Sequence, residues 1–429
     1  MTSNILGKCK YCSTIFRLRF QVGYFNIPVY FRCPNCYVDI EGIINIDQES
    51  PNIIPDIRNF EMNNSKMGEE EYIIEQSVEF PQRKLYKVNQ SNSNDMITPF
   101  IRTCSNIGFT EMQREYLKIN LFLEFKDNLF KNINDLNRLF NNNKLDIVKT
   151  KLKEIYSDKK IISKLDVIIA IRHMHIKGIK YLLKEETLNS YIKLKEEIFN
   201  LFYKNNNGMI EFIKHLDEVN VFDKATNKLM TLISDFYNIY EKLLPIIIAV
   251  NTNTFENINK SEYGISTIGY SELEKFYTQS YETILDYVDI LIGLNNISVR
   301  NSYSLIPDSV TIFNDFYSME NTDKKIKKLD ALLENEPFSY GIILNNRIRN
   351  SIAHYNVKID YNNQLITFID KYNGIEKKEN IYYIEFAKMC LDNLYSCQYL
   401  YEVIYQLSQL KYISEGEKPN FLYDKNNNE

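Results

Sequence analysis

Two closely spaced cysteine pairs constrain the fold of this chain more than any other sequence feature. Cys9 and Cys12 form the first C-x2-C pair, and Cys33 and Cys36 form the second after an interval of twenty residues. Each pair turns two thiolates toward one point, and two pairs complete the closed tetrahedron that a structural zinc ion prefers. The spacing therefore predicts a structural zinc site with no open coordination position for catalysis.

The residues around these cysteines favour short strands. Residues 16–31 and 37–44 are rich in β-branched and aromatic side chains, which are typical of strands. The arrangement resembles a zinc ribbon, and we predict a small β domain over residues 1–45. Two roles for this domain are equally compatible with the sequence: binding of nucleic acid or a partner protein through its cations, and a purely structural role in folding. The cations are Lys8, Lys10, Arg17, Arg19 and Arg32.

The scarcity of helix-breaking residues indicates a mainly α-helical protein. The 429 residues include only 13 Gly and 10 Pro, both of which are unfavourable inside helices. After a polar linker with short strands over residues 46–105, helical hydrophobic spacing predicts a helical middle domain over residues 106–265. A helical bundle over residues 266–412 and a polar tail over residues 413–429 complete the predicted order.

The predicted C-terminal bundle combines several helices with one inserted hairpin. Helices are expected over residues 271–296, 312–334, 340–354 and 382–411. Residues 357–368 alternate in polarity around an Asn-rich turn, which is typical of a β-hairpin. In the last helix, Cys390 and Cys397 lie seven residues apart on one face, and we expect core thiols rather than a reactive pair.

The overall charge argues against a broad polyanion-binding surface. The formal net charge is −5 at pH 7, so any nucleic-acid contact must come from local positive patches. Residues 144–164 hold seven lysines; we interpret them as a solvated helix face, with an RNA-facing stripe as the alternative. Because no signal-peptide layout and no apolar run of membrane length is present, we expect a cytoplasmic protein without a membrane partner.

One of the four histidines stands in a distinctive setting. Residues 349–354 read Arg-Asn-Ser-Ile-Ala-His, with Arg349 and His354 at the two ends. The string resembles the R-x4-6-H signature of the HEPN superfamily, particularly its R-N-x-x-A/V-H form. The resemblance extends over the predicted bundle and implies an all-α domain that acts as an endoribonuclease without metal. The alternative is a structural role, with a buried or capping histidine and a surface arginine nearby.

The resemblance assigns roles to four residues of this region. His354 would exchange protons near neutral pH while a ribose 2′-hydroxyl attacks the phosphate. Arg349 would hold the phosphate oxygens as charge develops, Asn350 would orient the motif, and Arg347 would add a second phosphate contact. The implied substrate is RNA, and the implied products end in a 2′,3′-cyclic phosphate and a 5′-hydroxyl. No cofactor is expected for catalysis.

Helix geometry and the resemblance together predict a homodimer. Residues five apart on a helix are separated by about 140° around its axis, so Arg349 and His354 do not converge from one straight helix. Family nucleases generally pair two motif copies across one cleft. The resemblance further implies an antiviral-defence or toxin effector, with a neutralising or activating protein partner. Two alternatives remain open, a non-catalytic HEPN-like interaction protein and a zinc-ribbon regulator that binds nucleic acid.

Overall fold

A computed structural model describes residues 2–46, 53–62, 68–90, 97–305, 338, 342, 344–372 and 375–421. The strands are β1 (Thr2–Cys9), β2 (Ile15–Gln21), β3 (Ile27–Arg32), β4 (Asp39–Ile46), β5 (Ile53–Arg58), β6 (Phe60–Met62), β7 (Tyr72–Gln76), β8 (Gln82–Arg83), β9 (Tyr86–Lys87), β10 (Tyr263–Gly264), β11 (Val357–Asp360), β12 (Leu365–Tyr372) and β13 (Ile375–Tyr382). The α-helices are α1 (Pro99–Ile107), α2 (Phe109–Phe125), α3 (Lys131–Asn141), α4 (Leu145–Ile155), α5 (Lys164–Ile179), α6 (Glu185–Lys204), α7 (Asn206–Glu218), α8 (Val221–Ile239), α9 (Leu244–Asn251), α10 (Tyr270–Tyr287), α11 (Asp289–Arg300), α12 (Asn346–Ala353) and α13 (Tyr383–Ser414). The predicted mainly α class is confirmed.

The chain forms two compact units, each assembled from separate stretches of sequence. Unit A comprises Met1–Glu115, Asp235–Gln279 and Arg347–Asp392. Unit B comprises Tyr116–Ser234, Ser280–Asn346 and Asn393–Glu429. Periodicity along the chain predicts consecutive domains, because a local pattern does not report contacts between distant segments. Those domain boundaries stay a prediction.

The N-terminal part of unit A contains a five-stranded sheet in the order β6-β1-β2-β7-β9. Strand β2 alternates between buried Phe16, Leu18 and Phe20 and the half-buried residues between them, as expected for a strand with one covered face. Strand β7 pairs with β2 in parallel, and all five of its residues are buried. The segment expected to be a polar linker therefore contributes an inner strand of the sheet.

Three smaller sheets complete the β structure of unit A. Strands β3, β4 and β5 form one antiparallel sheet, and the short strands β8 and β10 form another. The predicted hairpin at residues 357–368 is confirmed as β11 and β12, which pair with Val357 opposite Phe368. Strand β13 extends this hairpin to three strands, which the sequence analysis does not predict.

Aromatic packing joins the third sheet of unit A to its helices. The Phe386 ring lies 5.4 Å from the Phe368 ring of β12 and 5.1 Å from the Tyr277 ring of α10, centroid to centroid. The described part of the helix predicted at residues 340–354 is α12, which begins at Asn346. The helix predicted at residues 312–334 lies outside the described residues.

Unit B is built from helices around an apolar core. Ser163 begins α5 with a capping box, in which its side chain accepts from the Asp166 N–H and the Asp166 carboxylate accepts from the Ser163 N–H. The buried Glu402 carboxylate of α13 accepts two hydrogen bonds from Arg172 of α5, at 2.7 and 3.0 Å. Across the described ranges, no helix combines the length and the apolar character needed to cross a membrane.

Candidate functional site

The four N-terminal cysteines converge at the ends of two hairpins of unit A. Cys9 and Cys12 lie in the turn from β1 to β2, and Cys33 and Cys36 lie in the turn from β3 to β4. All four Sγ atoms lie within 4.8 Å of one another. The Cys9–Cys36 and Cys12–Cys33 sulfur atoms are 3.5 Å apart. The pairs predicted from spacing are therefore brought together in one cluster.

The two cysteine turns have the same backbone geometry. The Ser13 N–H donates to the Cys9 carbonyl at 3.0 Å, and the Tyr37 N–H donates to the Cys33 carbonyl at 2.9 Å. Ser13 and Tyr37 both adopt φ of 62°, a left-handed conformation that non-glycine residues rarely adopt. The repeated turn orients each pair of thiols toward the same centre.

The cluster fits the donor set and the size of a four-thiolate metal site. Zinc–sulfur bonds of about 2.3 Å in a tetrahedron place sulfur atoms about 3.8 Å apart, and the observed pairs are 3.5 Å apart at the closest. Cys9 and Cys33 are fully buried, so a bound ion is shielded from solvent on that side. The four cysteines are compatible with a structural metal ion.

A hydrogen-bond chain beside the cluster supports a thiolate at Cys12. The Asn35 amide donates to Thr14 Oγ1 at 2.7 Å, and Thr14 Oγ1 lies 3.1 Å from Cys12 Sγ. Because Thr14 already accepts from Asn35, its hydroxyl hydrogen is available to donate to the sulfur. Outer-shell donors of this kind orient metal ligands and stabilise their charged form.

Most cations of the predicted ribbon are paired with carboxylates. Lys8 pairs with Glu61, Arg17 with Glu70, Arg19 with Glu75 and Arg32 with Asp39, at 3.4, 3.0, 3.7 and 2.8 Å. Each pair cancels a positive charge that a polyanion-binding surface would need. The two cysteine turns also carry exposed aromatic side chains. Tyr11 and Tyr37 keep 71% and 70% of their surface exposed.

The residues of the Arg–His motif lie on α12 and its C-terminal turn. Ile348, Ser351 and Ile352 form the buried face of this helix, at 0%, 0% and 7% exposure. Arg349 and Asn350 are half-buried, and His354 is exposed. The alternation of apolar and polar residues along residues 347–354 therefore leaves the motif side chains outside the core.

The C-terminal end of α12 determines the position of His354. The His354 N–H donates to the Asn350 carbonyl at 3.0 Å, so that Asn350 and His354 lie one turn apart on the same side of the helix. Tyr355 then adopts a left-handed φ of 55°, which ends the helix as a C′ residue does. The Asn356 N–H returns to the Ser351 carbonyl at 2.8 Å and directs the chain into β11.

The four predicted motif residues are held in different ways. Arg349 Nη1 lies 3.4 Å from Asn350 Oδ1, a contact at the long limit for a hydrogen bond. Arg347 forms an ion pair with Glu379 of β13 at 3.2 Å, so this arginine is engaged by a carboxylate that the sequence analysis does not identify. His354 projects beside Tyr355, whose side chain is 94% exposed.

The three-stranded sheet that follows α12 carries exposed lysines. Lys358 of β11 and Lys371 of β12 are exposed, as are Lys377 and Lys378 of β13. A hydrogen bond from Lys371 lowers the pKa of the exposed Glu376 carboxyl, and the nearby charges of Lys378 and Lys358 act in the same direction. Glu376 and Lys371 form an ion pair at 3.0 Å, so the exposed lysines of this sheet alternate with carboxylates, and the first of them lies four residues after His354.

The other histidines belong to the packing of unit B. His175 is buried, and burial followed by the charge of Arg172 lowers its pKa to about 3. His173 Nδ1 lies 3.0 Å from the Tyr156 hydroxyl, and burial lowers its pKa to about 4. His215, for which the sequence suggests no partner, stacks on the Tyr303 ring at 5.3 Å. These contacts account for all three as structural residues.

Burial likewise accounts for the two cysteines of α13. Cys390 and Cys397 are fully buried, and burial raises the pKa of both thiols. The Cys390 thiol lies 3.5 Å from the Leu273 carbonyl. Their prediction as core thiols is confirmed.

No protein-family model, curated protein or solved structure matches this chain. The fold and the sites define a mainly α protein with a partly buried four-cysteine cluster and a short helix that carries Arg349, with His354 in the turn after it, outside the core.

Proposed function

We propose that this protein is a metal-independent endoribonuclease of the HEPN type. The observation that carries the proposal is the solvent access of the motif, since His354 is exposed and Arg349 and Asn350 are only half-buried. A catalytic histidine needs such access to reach substrate.

The proposed chemistry uses one proton acceptor and one charge-stabilising group. The His354 imidazole would take the proton of the ribose 2′-hydroxyl as this oxygen attacks the phosphorus, and a second protonated histidine would return a proton to the departing 5′-oxygen. The Arg349 guanidinium would hold the phosphate oxygens as negative charge builds. The products would be a 2′,3′-cyclic phosphate and a 5′-hydroxyl.

The need for a second histidine supports the proposed homodimer. Arg349 and His354 point about 140° apart around one helix, whereas a two-fold axis would supply both groups to one phosphate from two chains. The exposed Tyr355 ring and the exposed lysines of β11 to β13 would then contact RNA beside the reacting phosphate. The cysteine centre would bind zinc and hold the β1–β2 and β3–β4 turns together.

The proposal includes restraint of the nuclease in the cell. An uncontrolled endoribonuclease is toxic to its host, so we propose a defence or toxin role in which a neutralising or activating partner controls cleavage. Growth of cells that express the parent protein, compared with cells that express His354→Ala, would report this restraint. Slowed growth with the parent alone is the expected result.

The decisive experiment is cleavage of single-stranded RNA by the purified full-length protein in EDTA. We expect the parent to cleave and His354→Ala to lose about 10²–10⁴ in rate, because general acid–base catalysis typically contributes that much. Arg349→Lys should rescue Arg349→Ala poorly, since lysine lacks the planar fork. End-group analysis of the products should show 2′,3′-cyclic phosphates.

Matched controls test the same residue types outside the motif. Residues 300–302 repeat the Arg-Asn-Ser tripeptide without a following histidine, so Arg300→Ala should cleave like the parent. His215→Ala should also remain active. If His354→Ala cleaves RNA at the parent rate, or if the parent requires a divalent ion, the proposed site is wrong.

One observation favours a second candidate, a zinc-ribbon protein that binds nucleic acid. Tyr11 and Tyr37 project from the two cysteine turns with most of their surface exposed, as stacking platforms for unpaired bases do. The paired cations of this region oppose it. Under this alternative, RNA binding without cleavage should survive His354→Ala and be lost in the Tyr11→Ser/Tyr37→Ser double variant.

A further inference from the structure

Unit B contains a cavity of about 360 Å³ that the proposed nuclease chemistry does not use. Its walls come from α3, α4, α5, α7, α8 and α13, together with the loops that precede α4 and α8. The volume lies in the range of small-molecule sites, which is about 300–1,000 Å³. Both polar and aromatic side chains line it, so the lining restricts which class of ligand can bind.

Aromatic rings form one part of the wall. Phe140 of α3 meets Tyr412 of α13 edge to face, with ring centroids 6.5 Å apart. Phe222, Tyr401 and Tyr405 also face the cavity. Several rings around one space offer stacking and edge contacts to a planar ligand.

The charges of the wall are balanced. Lys411 and Asp217 form an ion pair at 2.5 Å, so these two charges satisfy each other. Lys164 and Asp223 remain as one cation and one carboxylate on the wall. A ligand with several negative charges would meet the two carboxylates, and an amine would meet two lysines that already lie against the aromatic faces of Tyr412. The balance favours a ligand that is neutral or carries a single anionic group.

One buried amide faces the cavity with an unused donor. Asn137 of α3 is only 8% exposed and lines the cavity. Among the described residues, no acceptor meets hydrogen-bond geometry with its Nδ2 atom. The Tyr401 side chain is near enough for Asn137 to lower its pKa, but it lies outside that geometry. Because a buried donor without a partner costs stability, such a group is explained when a ligand supplies the acceptor.

We propose that this cavity binds a nucleoside or a nucleoside monophosphate. The base would pack among the rings of Phe140 and Tyr412 and accept a hydrogen bond from Asn137. The Asp223 carboxylate would accept from the ribose hydroxyls, as carboxylates do in nucleotide sites. Lys164 would contact the single phosphate of a monophosphate. This site is independent of the proposed nuclease motif.

Calorimetric titration of the full-length protein tests the proposal directly. The probes are adenosine, guanosine, cytidine, uridine and their 5′-monophosphates, each added separately. At least one base should bind. Asp223→Asn should weaken binding of both the nucleoside and its monophosphate about 10- to 100-fold, the loss typical of a hydrogen bond to a charged group. Lys164→Gln should weaken the monophosphate alone.

Two further variants separate site loss from misfolding. Lys160→Gln changes an exposed lysine of the same basic run that does not line the cavity, so it should bind like the parent. Asn137→Leu keeps the side-chain shape, and it should weaken binding without lowering the melting temperature. Failure of every probe to bind, or binding that Asp223→Asn and Asn137→Leu leave unchanged, overturns the proposal. Saturable binding of spermidine in place of any nucleoside would overturn it as well.

Discussion

Replacement of the buried Glu79 by glutamine should remove the loss of unit A stability that ionisation of this side chain causes as pH rises. Glu79 follows β7, and its side chain is fully buried. Its carboxylate accepts from the Tyr24 N–H at 3.2 Å and from the Ser77 hydroxyl at 3.4 Å. Gly23 lies directly against this carboxylate, where any Cβ would collide with it. The loop after β2 therefore encloses an acid with little access to water.

The magnitude follows from the pKa of this carboxyl. Burial raises it from 4.5 to about 7, an effect that the hydrogen bonds from Tyr24 and Ser77 only partly offset. One pKa unit corresponds to about 1.4 kcal/mol, so ionisation of Glu79 in the folded state costs about 3 kcal/mol. Between pH 4.5 and 7 the unfolded chain releases this proton while the folded chain keeps it. The free energy of unfolding therefore decreases as pH rises through this window.

Urea unfolding of parent and Glu79→Gln between pH 4.5 and 8, followed by tyrosine fluorescence, measures this effect. Glutamine cannot ionise and can still accept from Tyr24, so the two proteins should be similar at pH 4.5. The variant should be more stable by about 3 kcal/mol at pH 8. Glu69→Gln, which changes an exposed carboxylate nearby, should follow the parent at every pH.

An equal loss of stability in Glu79→Gln and the parent between these pH values would refute a raised pKa for Glu79. Lower stability of the variant at pH 8 would refute it as well. Either result would mean that Glu79 is ionised in the folded protein at an ordinary cost, and hence that water reaches it.

Three further predictions address the metal centre, the motif helix and unit B. Cys33→Ser should lose the metal, read by elemental analysis, and should unfold the β1–β4 region in circular dichroism, because structural zinc contributes about 10–16 kcal/mol to folding in small zinc domains. Ile348→Ala should cost about 2–5 kcal/mol, since it empties a fully buried position under the motif, and RNA cleavage should fall in parallel with helix content. Glu402→Gln should lower unit B stability by about 3 kcal/mol in thermal unfolding, because the partly buried Arg172, 14% exposed, would lose its carboxylate.

The helical segments show which features of a helix the local sequence pattern can predict. The final helix was expected over residues 382–411 and is found at Tyr383–Ser414, because a long amphipathic repeat specifies its own geometry. The expected helix over residues 271–296 is interrupted at Val288, where α10 ends and α11 begins. Apolar residues continue through that position, so periodicity alone does not reveal the break.

The candidate sites likewise combine features that the local sequence predicts with features that it does not. The clustering of the four cysteines follows from two short turns, each of which constrains its thiols within four residues. The ion pair between Arg347 and Glu379 joins residues 32 positions apart, and it depends on the unpredicted strand β13. Arg347 is predicted from the sequence to contact a phosphate, but no local pattern indicates the carboxylate that engages it.

The sequence by itself determined the features whose geometry is complete within a few residues, namely the cysteine turns, the amphipathic helices and the Arg–His string. Only the tertiary structure decided where β7 pairs, which acid is enclosed by the loop after β2, and which distant helices surround the unit B cavity. The reason is physical. Backbone hydrogen bonds and side-chain periodicity act over one or two turns, whereas strand pairing and burial depend on which distant surfaces meet when the chain closes its loops.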